Sequence, residues 1–450
     1  MLRRGVRYFL ILFGLCGWLV ACDTPQQSGP QVRTAALDNG LQIIVIPDFR
    51  ADVVTHMLWY RVGSADEPKG KSGIAHFFEH LMFRGTQNIA PGEFSKTVAR
   101  LGGQDNAFTS YDFTAYFQRI HRDKLAVMME MEAERMQKLI INPDIVAVER
   151  DVILEERSMR VDGNPSALLN EQIRARLHAG TPYAVPVIGW RDEIEALNAQ
   201  DAGDFYRRYY APDNAVLVVA GAVTLDEVTA LAKTHYGDLQ PAGRPRAGLK
   251  AATDLSVENA ARIETLEDAR VRQPNWRRYY RLPQYGTVTK KKLAAANVLA
   301  EILGGGATAR LYQSLVVDKA VAVSASAYAD TARLLNGEFS ISVNPRPEID
   351  LSALEPAIRA EIDRLKTELV TDEELRRAKL QLVSGLIFAR DSQQTMAQIF
   401  GRTATQGLTP EDVLGWPQEI EAVTAEQVRD AANRYLNPAH AITGHLQAAR

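Results

Sequence analysis

Cysteine is almost missing from this 450-residue chain: only Cys16 and Cys22 occur, both near the N-terminus. A fold stapled by internal disulfides is excluded once the first of them is removed with an N-terminal signal. Charge of one sign is also lacking. The 52 Lys and Arg residues oppose 55 Asp and Glu, the net charge is -3, and no block of like charge stands out. A phosphate-backbone binder needs such a block, so nucleic acid is not an expected partner. Hydrophobic residues at 46% and charged residues at 24% lie near the average for soluble proteins. That balance excludes a largely disordered, collagen-like or multi-spanning membrane chain. The length is enough for two to four domains with well-buried cores.

The first feature present is at the N-terminus. Arg3, Arg4 and Arg7 precede an uncharged stretch from Tyr8 to Ala21, too short to span a bilayer as a mature helix. Residues 1–21 therefore read as an export signal. The stretch ends Leu19-Val20-Ala21-Cys22, which resembles a bacterial lipobox. By that resemblance Cys22 is lipidated and becomes the new N-terminus; an ordinary secretory signal is the alternative. Residues 22–32, including the polar, turn-rich TPQQSGP of Thr24 to Pro30, read as a flexible tether. Asp23 resembles the signal that retains lipoproteins in the inner membrane. The expected location is a periplasm-facing membrane surface. Cleavage removes three positive charges and Cys16, leaving a mature chain near -6 with no internal disulfide possible.

A shift of 226 lays the chain on itself. Gly189-Trp190 and Glu193-Ile194-Glu195-Ala196 fall on Gly415-Trp416 and Glu419-Ile420-Glu421-Ala422. Ala199, Asp204, Arg208-Tyr209, Pro212 and Ala215 fall on Ala425, Asp430, Arg434-Tyr435, Pro438 and Ala441, making twelve identities in 27 positions without a gap. Such a period is too long for a solenoid repeat and signals two copies of one domain, at 33–241 and 261–447, joined by a linker over 242–260. The repeated block predicts an amphipathic helix ending near Tyr-x-x-Pro, followed in the first copy by a buried strand from Ala215 to Ala220. Leu41 to Ile46 predicts another strand, and Leu125 to Leu139 and Pro143 to Met159 predict helices. The fold class is α+β.

The chemistry centres on His76-Phe77-Phe78-Glu79-His80, an H-x-x-E-H motif. On a helix, His76 and His80 lie one turn apart on one face, the spacing with which two imidazoles hold one zinc ion. Glu79 sits beside the pair, placed to take a proton from a water at the metal. Ser72 is positioned to cap the helix, and Ile74, Ala75, Phe77, Phe78, Leu81, Met82 and Phe83 make it apolar nearly all round. A zinc hydrolase keeps three protein ligands and an open position, so a third ligand comes from elsewhere.

The motif order resembles the inverzincins, and its surroundings resemble the M16 metallopeptidases of pitrilysin and mitochondrial-processing-peptidase type. The resemblance implies a third ligand within a sequence like ERDVILEE, matched here from Glu149 to Glu156. Helix geometry chooses between the last two residues. Glu149, Val152, Ile153 and Glu156 form one stripe, whereas Glu155 points about 100° away, so Glu156 is the expected ligand. Glu149 matches a family carboxylate near the metal; a solvated helix glutamate is the alternative. The resemblance extends through Leu37 to Leu41, Phe83-Arg84-Gly85-Thr86 and Gly102 to Ser110. In the family the last stretch enters an edge strand that pairs with substrate backbone, so Asn106 and Ala107 are expected to contact a peptide. Locally it reads as a Gly-rich turn opening into a strand through Tyr116, with an ordinary surface hairpin as the alternative. The implied architecture is two duplicated α+β domains, each an antiparallel-rich sheet covered by helices, with one zinc ion per chain.

Two departures from the family qualify this. The second copy has Ile302-Leu303-Gly304-Gly305-Gly306 where the motif would recur, so no second zinc site is expected. Val316 and Val323 stand where family C-terminal domains carry an Arg and a Tyr that stabilise the substrate oxyanion. Loss of such donors costs two or more orders of magnitude in rate. The implied function is a zinc endopeptidase acting on peptides or unfolded chains, with the missing pair supplied by an M16-like partner subunit lacking H-x-x-E-H, or by a homodimer. The alternatives are a non-catalytic binding or assembly subunit and a hydrolase of a non-peptide bond.

Overall fold

The computed structural model describes residues 31–243, 246, 248–258, 263–285 and 290–449. The signal segment, Cys22, Asp23 and the tether as far as Pro30 lie outside the described residues, as does part of the 242–260 segment.

Six strands make the first sheet: β1 (Arg33–Ala36), β2 (Gln42–Pro47), β3 (Val53–Tyr60), β4 (Gln104–Thr109), β5 (Thr114–His121) and β6 (Ala215–Gly221), in the order β1-β2-β6-β3-β5-β4. All neighbours are antiparallel except β2 and β6. The second sheet comprises β7 (Ile263–Glu267), β8 (Asn275–Gln284), β9 (Ala322–Asp330), β10 (Asn336–Pro345) and β11 (Ala441–Gln447), ordered β7-β11-β8-β10-β9, again with one parallel pair, β7 and β11. The first half carries helices α1 (Ile74–Leu81), α2 (Glu93–Arg100), α3 (Leu125–Gln137), α4 (Pro143–Arg157), α5 (Pro165–Leu177), α6 (Arg191–Glu195), α7 (Ala199–Tyr209) and α8 (Leu225–Tyr236). The second carries α9 (Lys290–Gly304), α10 (Leu351–Thr367), α11 (Asp372–Ala389), α12 (Gln393–Thr405), α13 (Pro410–Glu421) and α14 (Ala425–Tyr435).

The repeat in the sequence becomes a repeat in space. Both bounds of α14 and of β11 lie 226 after those of α7 and β6. Each copy caps its helix from the preceding residue, Asn198 in one and Thr424 in the other. The strand following is β6, whose seven residues are all buried. Leu217 and Val219 face the helices of their own half, while Val216, Val218 and Ala220 face the opposite side, so an uninterrupted apolar run is what a strand covered on both faces requires.

The cover on that opposite side comes from the other half. Met396, Ala397, Phe400 and Ala404 of α12 pack on Ile44, Met57, Trp59 and Val218 of the first sheet. Conversely Leu169, Ile173 and Leu177 of α5 pack on Ile442 and Leu446 of the second. The contact between α12 and β3 is close enough to demand glycine: a Cβ at Gly401 would sit 2.1 Å from the Trp59 ring.

Three expectations need correcting. The stretch after Gly103 is not one strand through Tyr116; β4 stops at Thr109, and Ser110 to Phe113 turn the chain back into β5. That hairpin leaves β4 as the edge of the sheet. The helix from Pro143 ends at Arg157 and passes into a wider π-type turn over Ser158–Asp162. Ser72 does not cap α1, for a reason that belongs to the site.

Candidate metal centre

Helix α1 is a wedge of apolar residues, with Ile74, Ala75, Phe77, Phe78 and Leu81 all buried. Its polar positions fall on the one side left open, so packing of the apolar ones aims His76, Glu79 and His80. The helix starts at Gly73, whose φ of +85° is left-handed and whose Cβ would lie 2.5 Å from the Ile188 carbonyl. Glu67, rather than Ser72, meets the free amides: its Oε2 accepts from Gly73 N and its Oε1 from Ala75 N, both at 3.0 Å. Ser72 is turned the other way, its Oγ accepting from Trp190 N at 2.9 Å. Sequence reasoning missed Glu67 because the contact is a loop closure of six to eight residues, not the local pattern of a capping box.

Helix α4 begins with Asn142, whose Oδ1 accepts from Asp144 N, and with Pro143 in its first turn. Glu149 is 1% exposed, Glu156 is half-buried and Glu155 is exposed. The residues between the two glutamates do not all share their burial. Ile153 is fully buried, but Val152 is 41% exposed, so the inward face is narrower than four positions suggest.

The three side chains converge. Glu156 Oε2 lies 3.7 Å from His76 Nε2 and 3.4 Å from His80 Nε2, and one ligand atom from each residue lies within 4.8 Å of the others. Ligands at 2.0–2.2 Å around a tetrahedral zinc are about 3.4 Å apart, so two imidazole nitrogens and a carboxylate at this spacing suit that ion. Among the described residues this is the one cluster of three or more such groups. Behind it, His80 Nδ1 meets Glu149 Oε1 at 2.8 Å, and Arg84 Nε donates to Glu149 Oε2. Arg160 NH1 holds Glu156 Oε1 at 2.7 Å, leaving Oε2 to face the histidines. His76 Nδ1 is buried and has no hydrogen-bond partner among the described residues.

Charge state follows these contacts. Burial pulls His80 down, but the hydrogen bonds it donates to Glu149 and Glu156 outweigh it and raise the imidazole to about 9. Burial and the neighbouring His80 depress His76 to about 4. Burial opposes ionisation of Glu149, yet its bonds to His80 and Arg84 hold it below the ordinary carboxylate range. The bond to His80 does the same for Glu156. Of the three carboxylates Glu79 alone is raised, chiefly by burial, against a hydrogen bond that its Oε2 accepts from Thr109 Oγ1 at 2.5 Å. A half-buried carboxylate pushed upward beside two imidazoles and a second carboxylate is placed to accept a proton.

Asn106 is exposed on edge strand β4 and Ala107 is half-buried on the same strand, which packs against α1. The Ala107 N–H donates to Asn106 Oδ1 at 2.8 Å. Val316 and Val323 bring no donor: the first packs partly buried in the second core, and the second is 49% exposed on edge strand β9. Arg84 and Thr109 stand within the motifs read from the sequence, but no periodicity marked them. Arg160 is four residues after Glu156, a helical spacing that could have been found.

The family model described as insulinase, peptidase family M16, matches residues 43–190, and the model described as peptidase M16 inactive domain matches 196–382. The chain is 30% identical over 424 residues to the zinc protease PqqE of Helicobacter pylori, covering 93% of each. It is 28% identical over 427 residues to an uncharacterised zinc protease of Mycobacterium leprae, covering 90% of this chain and 89% of that one. The crystal structure of a protease from Helicobacter pylori superposes with a TM-score of 0.85 at 29% identity, over 93% of this chain and 99% of that one.

Proposed function

The chain belongs to peptidase family M16, and from that premise we propose that it is a zinc-dependent endopeptidase acting on peptides or unfolded polypeptides. The observation that carries the reading is the convergence of His76 Nε2, His80 Nε2 and Glu156 Oε2, with Glu79 near enough to feel the charges of His80 and Glu156. His76, His80 and Glu156 hold one zinc ion per chain, and Glu149 orients His80. When bound, zinc supplies Lewis acidity toward a water and the scissile carbonyl. Glu79 takes the proton of the attacking water and passes it to the leaving amine nitrogen. Asn106 and Ala107 on β4 pair with the main chain of the peptide, adding a strand to the sheet edge.

Residues 33–241 form the catalytic domain, and 261–447 a second domain without a zinc site. The 226 shift carries His76, Glu79 and His80 to Ile302, Gly305 and Gly306, which offer no ligand side chain. Cys22 carries a lipid that anchors the mature chain to a periplasm-facing membrane. An Arg and a Tyr for the oxyanion come from an M16-like partner subunit, because Val316 and Val323 cannot donate.

Those two valines also favour a second reading, a non-catalytic binding or assembly subunit. Cleavage of a quenched fluorescent peptide mixture by zinc-loaded protein, with Glu79→Gln as matched control, separates the two. A fall of about a hundredfold or more in the control supports the peptidase. Equal rates from both, with zinc bound and with a co-purifying partner restored, would leave the non-catalytic reading standing.

A further inference from the structure

We propose that Thr109 is a positioning residue for Glu79, fixing the carboxylate in the orientation from which it accepts a proton; the inference rests on the peptidase reading and deepens it. Thr109 is the last residue of β4, and strand alternation aims it. Its neighbour Phe108 turns to one face of the sheet, where its ring lies 5.3 Å from Trp59 and 6.1 Å from Phe113. Thr109 must therefore turn to the other face, the one that α1 covers. There its Oγ1 donates to Glu79 Oε2 at 2.5 Å.

A second hydroxyl lies beside that of Thr109, and its proton is already committed. Thr114, fully buried at the start of β5 and paired with Thr109 in the hairpin register, donates its own proton to Val62 O at 3.0 Å. Its Oγ1 lies 3.5 Å from that of Thr109. A threonine has one hydroxyl proton, and the shorter contact, to Glu79, claims it. Among the described residues Thr109 is the one side-chain donor to this carboxylate.

The terminal torsion of a glutamate is broad, so a carboxylate with no donor samples many orientations. One donor on Oε2 fixes that torsion and leaves Oε1 as the free basic oxygen. A base must lie within about 3 Å of the proton it takes, so this restraint acts on the rate step and not on substrate affinity. Ala107 lies two residues earlier on the same face of β4, so a peptide seated on the edge strand steadies the residue that aims the base.

The test compares zinc-loaded full chain carrying Thr109→Val, which keeps the shape and deletes the hydroxyl, with Thr109→Ser, which keeps the hydroxyl. In Thr109→Val, kcat should fall about tenfold to a hundredfold, with KM, zinc content and thermal midpoint unchanged. Thr109→Ser should restore most of the loss. Added to Glu79→Gln, Thr109→Val should cost nothing more. A second readout needs neither metal nor turnover. In metal-free protein the infrared carboxylate band that vanishes in Glu79→Gln should shift in Thr109→Val and return in Thr109→Ser. An unshifted band, an unchanged kcat, a loss of zinc, or an equal fall in the Glu79→Gln background would each overturn the proposal. Should wild type and Glu79→Gln hydrolyse at the same rate, the peptidase reading fails and base positioning with it, whereas the band shift would still report the hydrogen bond.

Discussion

His80 and Glu149 meet through Nδ1 and Oε1 at 2.8 Å, each on a different one of two packed helices. With Nδ1 taken by Glu149, Nε2 is the nitrogen that turns toward His76 and Glu156. Glu149 is almost wholly buried, and Arg84 occupies its other oxygen. We predict that Glu149→Gln weakens zinc binding about tenfold to a hundredfold, because an amide is a poorer acceptor and no longer fixes the ring. Competition against a chelator measures this, and an affinity equal to wild type would refute the positioning role.

Gly401 makes a purely steric prediction. Helix α12 lies on a sheet of the other half, and a side chain at this position would enter the Trp59 ring. Gly401→Ala should destabilise the fold by about 1–3 kcal/mol, the usual cost of overpacking, although alanine favours helix. Denaturant unfolding would show it. An alanine variant as stable as wild type would mean that the two halves can separate slightly without loss.

Acid sensitivity should reside at another junction of the halves. Glu338 on β10 accepts from His178 at 2.8 Å and from Arg333 at 2.7 Å, and pairs with Arg174 at 3.3 Å. Burial would raise this carboxyl, but Arg333, Arg174 and His178 hold it well below its ordinary 4.5. Its contribution is therefore complete above 4.5 and is lost as pH falls through the depressed folded value. His178 adds a loss of the same sign, because burial keeps it neutral while the unfolded chain protonates below 6.5. We predict that stability falls steadily with acidification from neutral pH, and that Glu338→Gln, at a cost of about 3 kcal/mol, flattens the part below 4.5. Unchanged slopes in the variant would exclude Glu338 as the source.

Much of this architecture is legible in the chain because it depends on spacing. The 226 shift locates α7 and β6 on α14 and β11, and the period of four between His76 and His80 puts both rings on one helix face. What depends on tertiary closure is not legible. Val152 has the periodicity of an inward residue, yet it stays exposed because no described residue covers that edge of α4. Ser72 has the chemistry of a cap, but the left-handed Gly73 and the loop at Trp190 redirect it. The exchange of α5 and α12 between sheets leaves no mark in either helix alone.

The choice of Glu156 over Glu155 gives the sharpest separation. The two carboxylates are adjacent in sequence but differ in surroundings: Glu156 Oε2 faces both imidazoles, whereas Glu155, about 100° round the helix, is exposed. A ligand that binds the folded state alone stabilises it by mass action, about 2.7 kcal/mol at a hundredfold excess over the dissociation constant. We predict that added zinc raises the thermal midpoint of wild type and of Glu155→Gln alike, and that chelation reverses the rise in both. Glu156→Gln should show little or no rise, since the amide replaces a charged ligand atom. It should also free Arg160, whose guanidinium then has no acid at Oε1. If Glu155→Gln loses the zinc response and Glu156→Gln keeps it, the ligand assignment is reversed and the helix must turn by about 100° on binding the metal.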